Sequence, residues 1–123
     1  MPKMPHGVRV ALDAELAAAR AAGPGTRGWA HLERAHILSQ PWAWPHVRAH
    51  GAMLARAVRT RDPREAVGQL VRLAVAAPGS ATGRYPVGNT GRANVSMSAP
   101  MSTPADLADL FAAAVGLART RPR

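Results

Sequence analysis

The stretch His31-Leu32-Glu33-Arg34-Ala35-His36-Ile37-Leu38-Ser39-Gln40-Pro41-Trp42-Ala43-Trp44-Pro45-His46-Val47-Arg48-Ala49-His50 decides how this chain folds. Up to Gln40 it has no proline, no glycine and no alternation of apolar with polar residues, so it reads as helix and not strand. Pro41 lacks a backbone N–H and disfavours helical backbone in the residue before it, which ends a helix that begins near Trp29. Pro45, whose fixed φ suits a first helical turn, starts another that runs to about Thr60. So short a connection predicts that the two helices return on each other as an αα-hairpin.

On the N-terminal side, Val8, Leu12, Leu16 and Ala19 recur at helical spacing from Val8 to about Ala22, until Gly23-Pro24-Gly25 stops the pattern. On the C-terminal side, Asp62-Pro63 supplies a cap and a first helical residue. The helix that follows carries the apolar stripe Ala66, Val67, Leu70, Leu73 and Ala74 and is expected to end before Pro78-Gly79. Glycine and proline then recur through residue 102, a loop whose anchors would be Tyr85, Val87, Val95 and Met97. Thr103-Pro104-Ala105-Asp106 opens a last helix with the stripe Leu107, Leu110, Phe111, Ala114 and Leu117. The expectation is an all-α protein, a compact bundle of four to five helices in αα-hairpins with a long Gly/Pro-rich loop before the C-terminal helix. It forms one domain over 1–123: a four-helix core over 8–76, the loop over 78–102, the last helix over 103–118 and a basic tail over 119–123.

A chain of 123 residues can bury one core without staples. It has no cysteine, which excludes disulfides, thiolate metal sites, iron–sulfur clusters and cysteine nucleophiles together. The N-terminal segment is polar and broken by proline, and no apolar run reaches the roughly 18 residues of a membrane span, so a soluble, cytoplasmic protein is expected. Sixteen Lys+Arg against seven Asp+Glu give a net charge of +9, and Lys3 is the sole lysine. That charge attracts polyanions, so an acidic protein or a nucleic acid is a candidate partner. An Arg-, Ala-, Gly- and Pro-rich composition is also what a GC-rich coding sequence produces. No serine sits in a nucleophile elbow and no aspartate marks a triad, so hydrolase chemistry has no sequence support beyond a metal-activated water.

The opening stretch also holds the chemistry. Four of the five histidines lie in it, and imidazole is the commonest protein metal ligand. Glu33 and His36 are three apart and Gln40 lies four further on, so they share one side of their helix; His46 and His50, four apart, share a face of the next. If the two faces converge, Glu33, His36, His46 and His50 offer three nitrogens and a carboxylate, a set suited to Zn²⁺ or another first-row divalent ion. His31 lies about 140° around the helix from His36 and cannot share one ion with it, which leaves His31 and Gln40 as outer-shell partners. The competing reading is structural: Glu33 and His36 bond across the hairpin while His46 and His50 lie on a wet face. A single Glu-x-x-His pair does not supply a ferritin-like dinuclear iron cage.

Two further features carry weaker signals. Gly79 to Arg84 and Gly88 to Arg92 match neither a P-loop nor a dinucleotide fingerprint, although exposed amides with Arg84, Asn89 and Arg92 could hold an anion. Trp29, Trp42 and Trp44 surround the hairpin connection and read as core and loop anchors.

Taken together, His31 to Gln40, Pro45-His46, His50, Asp62-Pro63-Arg64-Glu65-Ala66-Val67-Gly68-Gln69 and Gly83-Arg84-Tyr85-Pro86-Val87-Gly88-Asn89-Thr90-Gly91 resemble a small bacterial family known only as a domain of unknown function. The resemblance runs from the second helix to about Leu107. It implies a soluble bacterial protein, and because members of that family sometimes accompany heavy-metal transport or resistance genes, it favours metal binding. It carries over no ligand assignment. The expected function is therefore binding of a zinc-like divalent metal for buffering, delivery or resistance, with a basic, metal-free binding module as the alternative.

Overall fold

In the computed structural model, residues 3–120 are described, with side chains as far as residue 116. Five helices follow one another, α1 His6–Ala21, α2 Thr26–Ser39, α3 Ala43–Arg59, α4 Pro63–Ala81 and α5 Ala105–Thr120, and no strand occurs among the described residues. The fold is compact and all-α. The expected tail lies outside the described residues at 121–123, and the stripe position Leu117 has no described side chain.

Helix α1 packs on α2 and α3 packs on α4, while a less extensive α2–α3 contact joins the two pairs and α5 touches α1. Val8, Leu12, Leu16 and Ala19 of α1 are buried against Leu32, Ala35 and Leu38 of α2 and Met53 of α3. Leu107 caps this cluster from α5, with Leu110, Phe111 and Ala114 partly buried beside it. Each large apolar side chain removed from water here contributes about 1.5–3 kcal/mol. Arg34 clamps α5 by pairing with Asp106 while its Nε donates to Glu15 of α1 at 2.7 Å.

Several boundaries differ from the sequence reading: α3 starts at Ala43, with Pro45 inside its first turn where the missing N–H costs no helical hydrogen bond, α5 spans Ala105–Thr120, and three more differ for local reasons. Helix α2 begins at Thr26 because Gly25, with φ of 121°, completes the turn. Gly28 lies inside the helix, where the Arg56 guanidinium occupies the space a Cβ would take while donating to the Gly23 and Gly25 carbonyls at 2.9 Å. Helix α4 continues through Pro78 to Ala81: the ring removes one helical hydrogen bond, and the next turns close through Thr82 N to Pro78 O and Arg84 N to Gly79 O. Helix α1 begins at His6, capped by Pro5, so the N-terminal segment is ordered earlier than expected, with Met4 in the core.

The larger correction concerns the faces of α4. Its buried residues are Glu65, Gln69, Arg72, Ala76 and Ser80, while Val67, Leu70, Val71 and Val75 are exposed. The expected apolar stripe points outward and a polar row points in. The loop over 82–104 is likewise held by polar groups. Val87 and Met97 are exposed, whereas Asn89 is buried and its amide donates to Ser96 O and Ala99 O at 2.9 and 2.8 Å. Of the three tryptophans, Trp42 stacks on Phe111 and Trp29 carries the Arg92 guanidinium 3.8 Å above its ring, but Trp44 is 72% exposed and anchors nothing in the core.

Candidate metal centre

His36 lies near the end of α2, and His46 and His50 lie one turn apart in the first half of α3. All three are buried. Their Nε2 atoms form a nearly equilateral triangle, 3.0 Å from His36 to His46 and 3.1 Å on each of the other two sides. The cluster could hold a metal ion.

The protonation of each ring follows from its outer partner. His36 Nδ1 lies 2.7 Å from the Asn89 backbone carbonyl, which only accepts, so this nitrogen carries the proton. His50 Nδ1 lies 2.7 Å from Gln69 Oε1. The Gln69 amide cannot be turned round, because its Nε2 donates to the Glu65 carboxylate at 3.0 Å and to the Gly91 carbonyl at 2.9 Å, both pure acceptors. His46 Nδ1 lies 2.7 Å from Ser80 Oγ, whose own proton goes to the Gln40 carbonyl at 2.5 Å, and the Ala76 backbone is a further acceptor. All three rings are therefore Nδ1–H tautomers.

Their Nε2 lone pairs consequently face one another with no proton to share. Protonating any of them is disfavoured. Burial pushes His36 well below the ordinary imidazole range, with the His50 and His46 rings adding to it. Burial also takes His46 down to about 4, again with a contribution from His50. For His50 burial outweighs the bond to Gln69, and the nearby Arg72 charge pushes the same way. Three neutral imidazoles aiming lone pairs at a common point are prepared for a cation that needs no proton. A tetrahedral Zn²⁺ with Zn–N of about 2.0–2.1 Å spaces its nitrogens roughly 3.3 Å apart, so the triangle fits after an expansion of a few tenths of an ångström.

Two glycines let the loop close over the triad. Gly91 has φ of 80°, and a Cβ there would sit 2.5 Å from His36 Cδ2. Gly88 has φ of 78° and lies against the Met101 carbonyl, where a Cβ would be 2.0 Å from the oxygen. Together they bring the Asn89 carbonyl onto His36. Asn89 Oδ1 accepts from Gly91 N at 2.8 Å, which stiffens the segment between them.

The remaining residues singled out in the sequence are placed elsewhere or in other roles. Glu33 does not join the three histidines; its carboxylate reaches Arg92 Nη1 at 3.4 Å, because the loop brings that cation to the partly exposed side of α2. His31 turns to α1, where Nδ1 meets Glu15 at 2.6 Å, so it is no outer partner of the cluster. Gln40 does support it: its backbone carbonyl orients Ser80 and its side chain donates to Pro86 O at 2.9 Å. Of the three loop residues read as an anion site, Asn89 serves His36. Arg92 is engaged by Glu65 at 3.0 Å and by Trp29, and Arg84 stands apart from both at the rim of the cavity described below. Sequence reasoning missed Gln69, Ser80 and Glu65. Their signal was present as polar residues at helical spacing on α4, but a polar row opposite an apolar one ordinarily reads as a solvent face.

A family described as "Protein of unknown function (DUF3703)" matches residues 6–111, which takes in α1 through the first half of α5 and every residue of the cluster. This chain belongs to the DUF3703 family. No curated protein and no solved structure matches it. The DUF3703 match thus covers the helices and the loop that build the triad.

Proposed function

We propose that this protein binds one divalent first-row transition metal ion, zinc-like in preference, through Nε2 of His36, His46 and His50, and serves metal buffering, delivery or resistance in the bacterial cytoplasm. One observation carries the reading: three buried neutral imidazoles aim their lone pairs at one point, and each is oriented by a hydrogen bond from its other nitrogen. Three histidines with outer hydrogen-bond partners are the donor set of zinc sites that keep a fourth position free. Glu33 has no part in this ligand set, since its carboxylate is committed to Arg92.

Binding is expected at one ion per chain. Because the lone pairs are already free of protons, metal uptake near pH 7 releases few or none, which suits reversible capture. Tag-free protein titrated with Zn²⁺ against a chromogenic chelator tests the reading. The expected result is one site, weakened at least 100-fold in His36→Ala and His50→Ala. Wild-type protein that competes no better than these variants, and contains no metal after purification, overturns it. An independent readout is thermal stability: a metal at about 100 times its Kd adds about 2.7 kcal/mol to the folded state.

A further inference from the structure

We infer that the fourth ligand position of the triad takes a small organic oxyanion, a carboxylate or phosphate ester with an apolar remainder, held between the metal and Arg72. The inference rests on the metal-binding reading above and names what that site would recognise. A cavity of about 430 Å³ lies against His36, His46 and His50, large enough for a small molecule and not only for water.

The charge of its wall selects the ligand. Two arginines, Arg72 and Arg84, line the cavity, and among the described residues no aspartate or glutamate does. Arg72 is buried, 9% exposed, and held in place by the Gly68 and Val95 carbonyls at 3.2 and 2.8 Å, both neutral acceptors. The carboxylate nearest in the network, Glu65, is already bonded to Arg92 Nε, Gln69 and the Ala93 amide. Glu65 also favours the Arg72 charge through space, but it is shared with Arg92, so a divalent ion on three neutral imidazoles beside Arg72 leaves positive charge in excess of that one carboxylate. An anionic fourth ligand bridging metal and Arg72 removes that imbalance, and a carboxylate or phosphate matches the guanidinium fork.

Apolar groups complete the wall. Val75, Pro78 and Met97 face the cavity from α4 and the loop, so a ligand whose charged end meets the metal would lay an apolar portion against them. The exposed Arg84 lies at the opening, placed to attract an anion before it binds.

The test uses Co²⁺-loaded full-length protein, whose visible absorption reports the fourth ligand, titrated with acetate, pentanoate and inorganic phosphate. The bands are expected to shift at millimolar anion or below, with pentanoate acting at several-fold lower concentration than acetate. Arg72→Gln should retain the Co²⁺ spectrum and need at least tenfold more anion. Arg84→Gln, an exposed change that leaves the fold intact, should bind more slowly. Whichever of carboxylate and phosphate acts at the lower concentration identifies the head group. Bands that stay fixed to 100 mM of all three anions, or that move equally in wild type and both variants, overturn the inference while leaving metal binding intact. Failure of Co²⁺ to give protein-dependent bands in the wild type overturns the metal reading and this inference with it.

Discussion

The α1–α2 pair and the α3–α4 pair are built on opposite interiors. Between α1 and α2 the contact is made by Val8, Leu12, Leu16, Leu32 and Leu38, so cohesion comes from apolar area removed from water. Between α3 and α4 the buried groups include His46, His50, Glu65, Gln69, Arg72 and Ser80. There the interior is a hydrogen-bonded polar network, and Val67 and Val71 of α4 are exposed. A buried network of this kind costs desolvation and returns little net stability, so its value lies in fixing geometry. The first pair stabilises the protein; the second orients His46 and His50 through Ser80 and Gln69, while Asn89 of the loop orients His36 from α2.

The largest effect that would test this contrast is Leu12→Ala in the apolar pair. It should lower unfolding free energy by about 2–5 kcal/mol, measured by denaturant titration, while zinc affinity of the folded fraction stays within a few-fold of wild type. Equal losses of affinity and stability would show that the two halves are not separable.

Next is the response of the metal-free protein to pH. The three histidines have folded-state pKa values below their unfolded value near 6.5, His46 near 4. Above about pH 7 neither state binds these protons, and stability is at its full value. As pH falls from about 6.5 towards 4, the unfolded chain takes up protons that the folded chain refuses, so stability drops by up to about 1.4 kcal/mol per pH unit per histidine. The loss levels off only below the folded pKa values. Denaturant midpoints in chelator at pH 8, 7, 6 and 5 should be level between the first two and fall thereafter; a midpoint unchanged at pH 5 would contradict a neutral, buried triad.

Gln69→Leu isolates the polar half. It removes the acceptor for His50 Nδ1–H and the donor to Gly91 O, so zinc affinity should fall about 10- to 100-fold with the apolar core untouched. Unchanged affinity would mean that ring orientation is set by packing alone. The smallest effect is expected for Val71→Ser on the outward face of α4, within about 0.5 kcal/mol of wild type. A loss comparable to Leu12→Ala would place that face in the core after all.

Much of this is legible in the sequence alone. Val8, Leu12, Leu16 and Ala19 announced the α1 face, Pro41 marked the end of α2, and Asp62 capped α4 with its side chain accepting from Glu65 N at 3.0 Å. The histidines were legible as a set because spacing along a helix determines which side chains share a face. Glu33 shared that face by spacing, yet its carboxylate pairs with Arg92, because a side chain at the partly exposed edge of the face follows the nearest opposite charge. The faces of α4 misled for a related reason: periodicity reveals two rows of residues but not which row meets the neighbouring helix.

By itself, then, the sequence determined the helices, most of their breaks, the absence of thiolate ligands and the three histidines that two successive helices can bring together. These depend on local backbone preferences and on spacing along one element. Only the tertiary structure decided that α4 turns its polar row inward, that the loop lays Asn89 and Gly91 on His36, and that Arg72 rather than Glu33 stands beside the triad. Those choices depend on contacts between residues as much as 59 positions apart, where the desolvation of each polar group is balanced by a partner that no local pattern names.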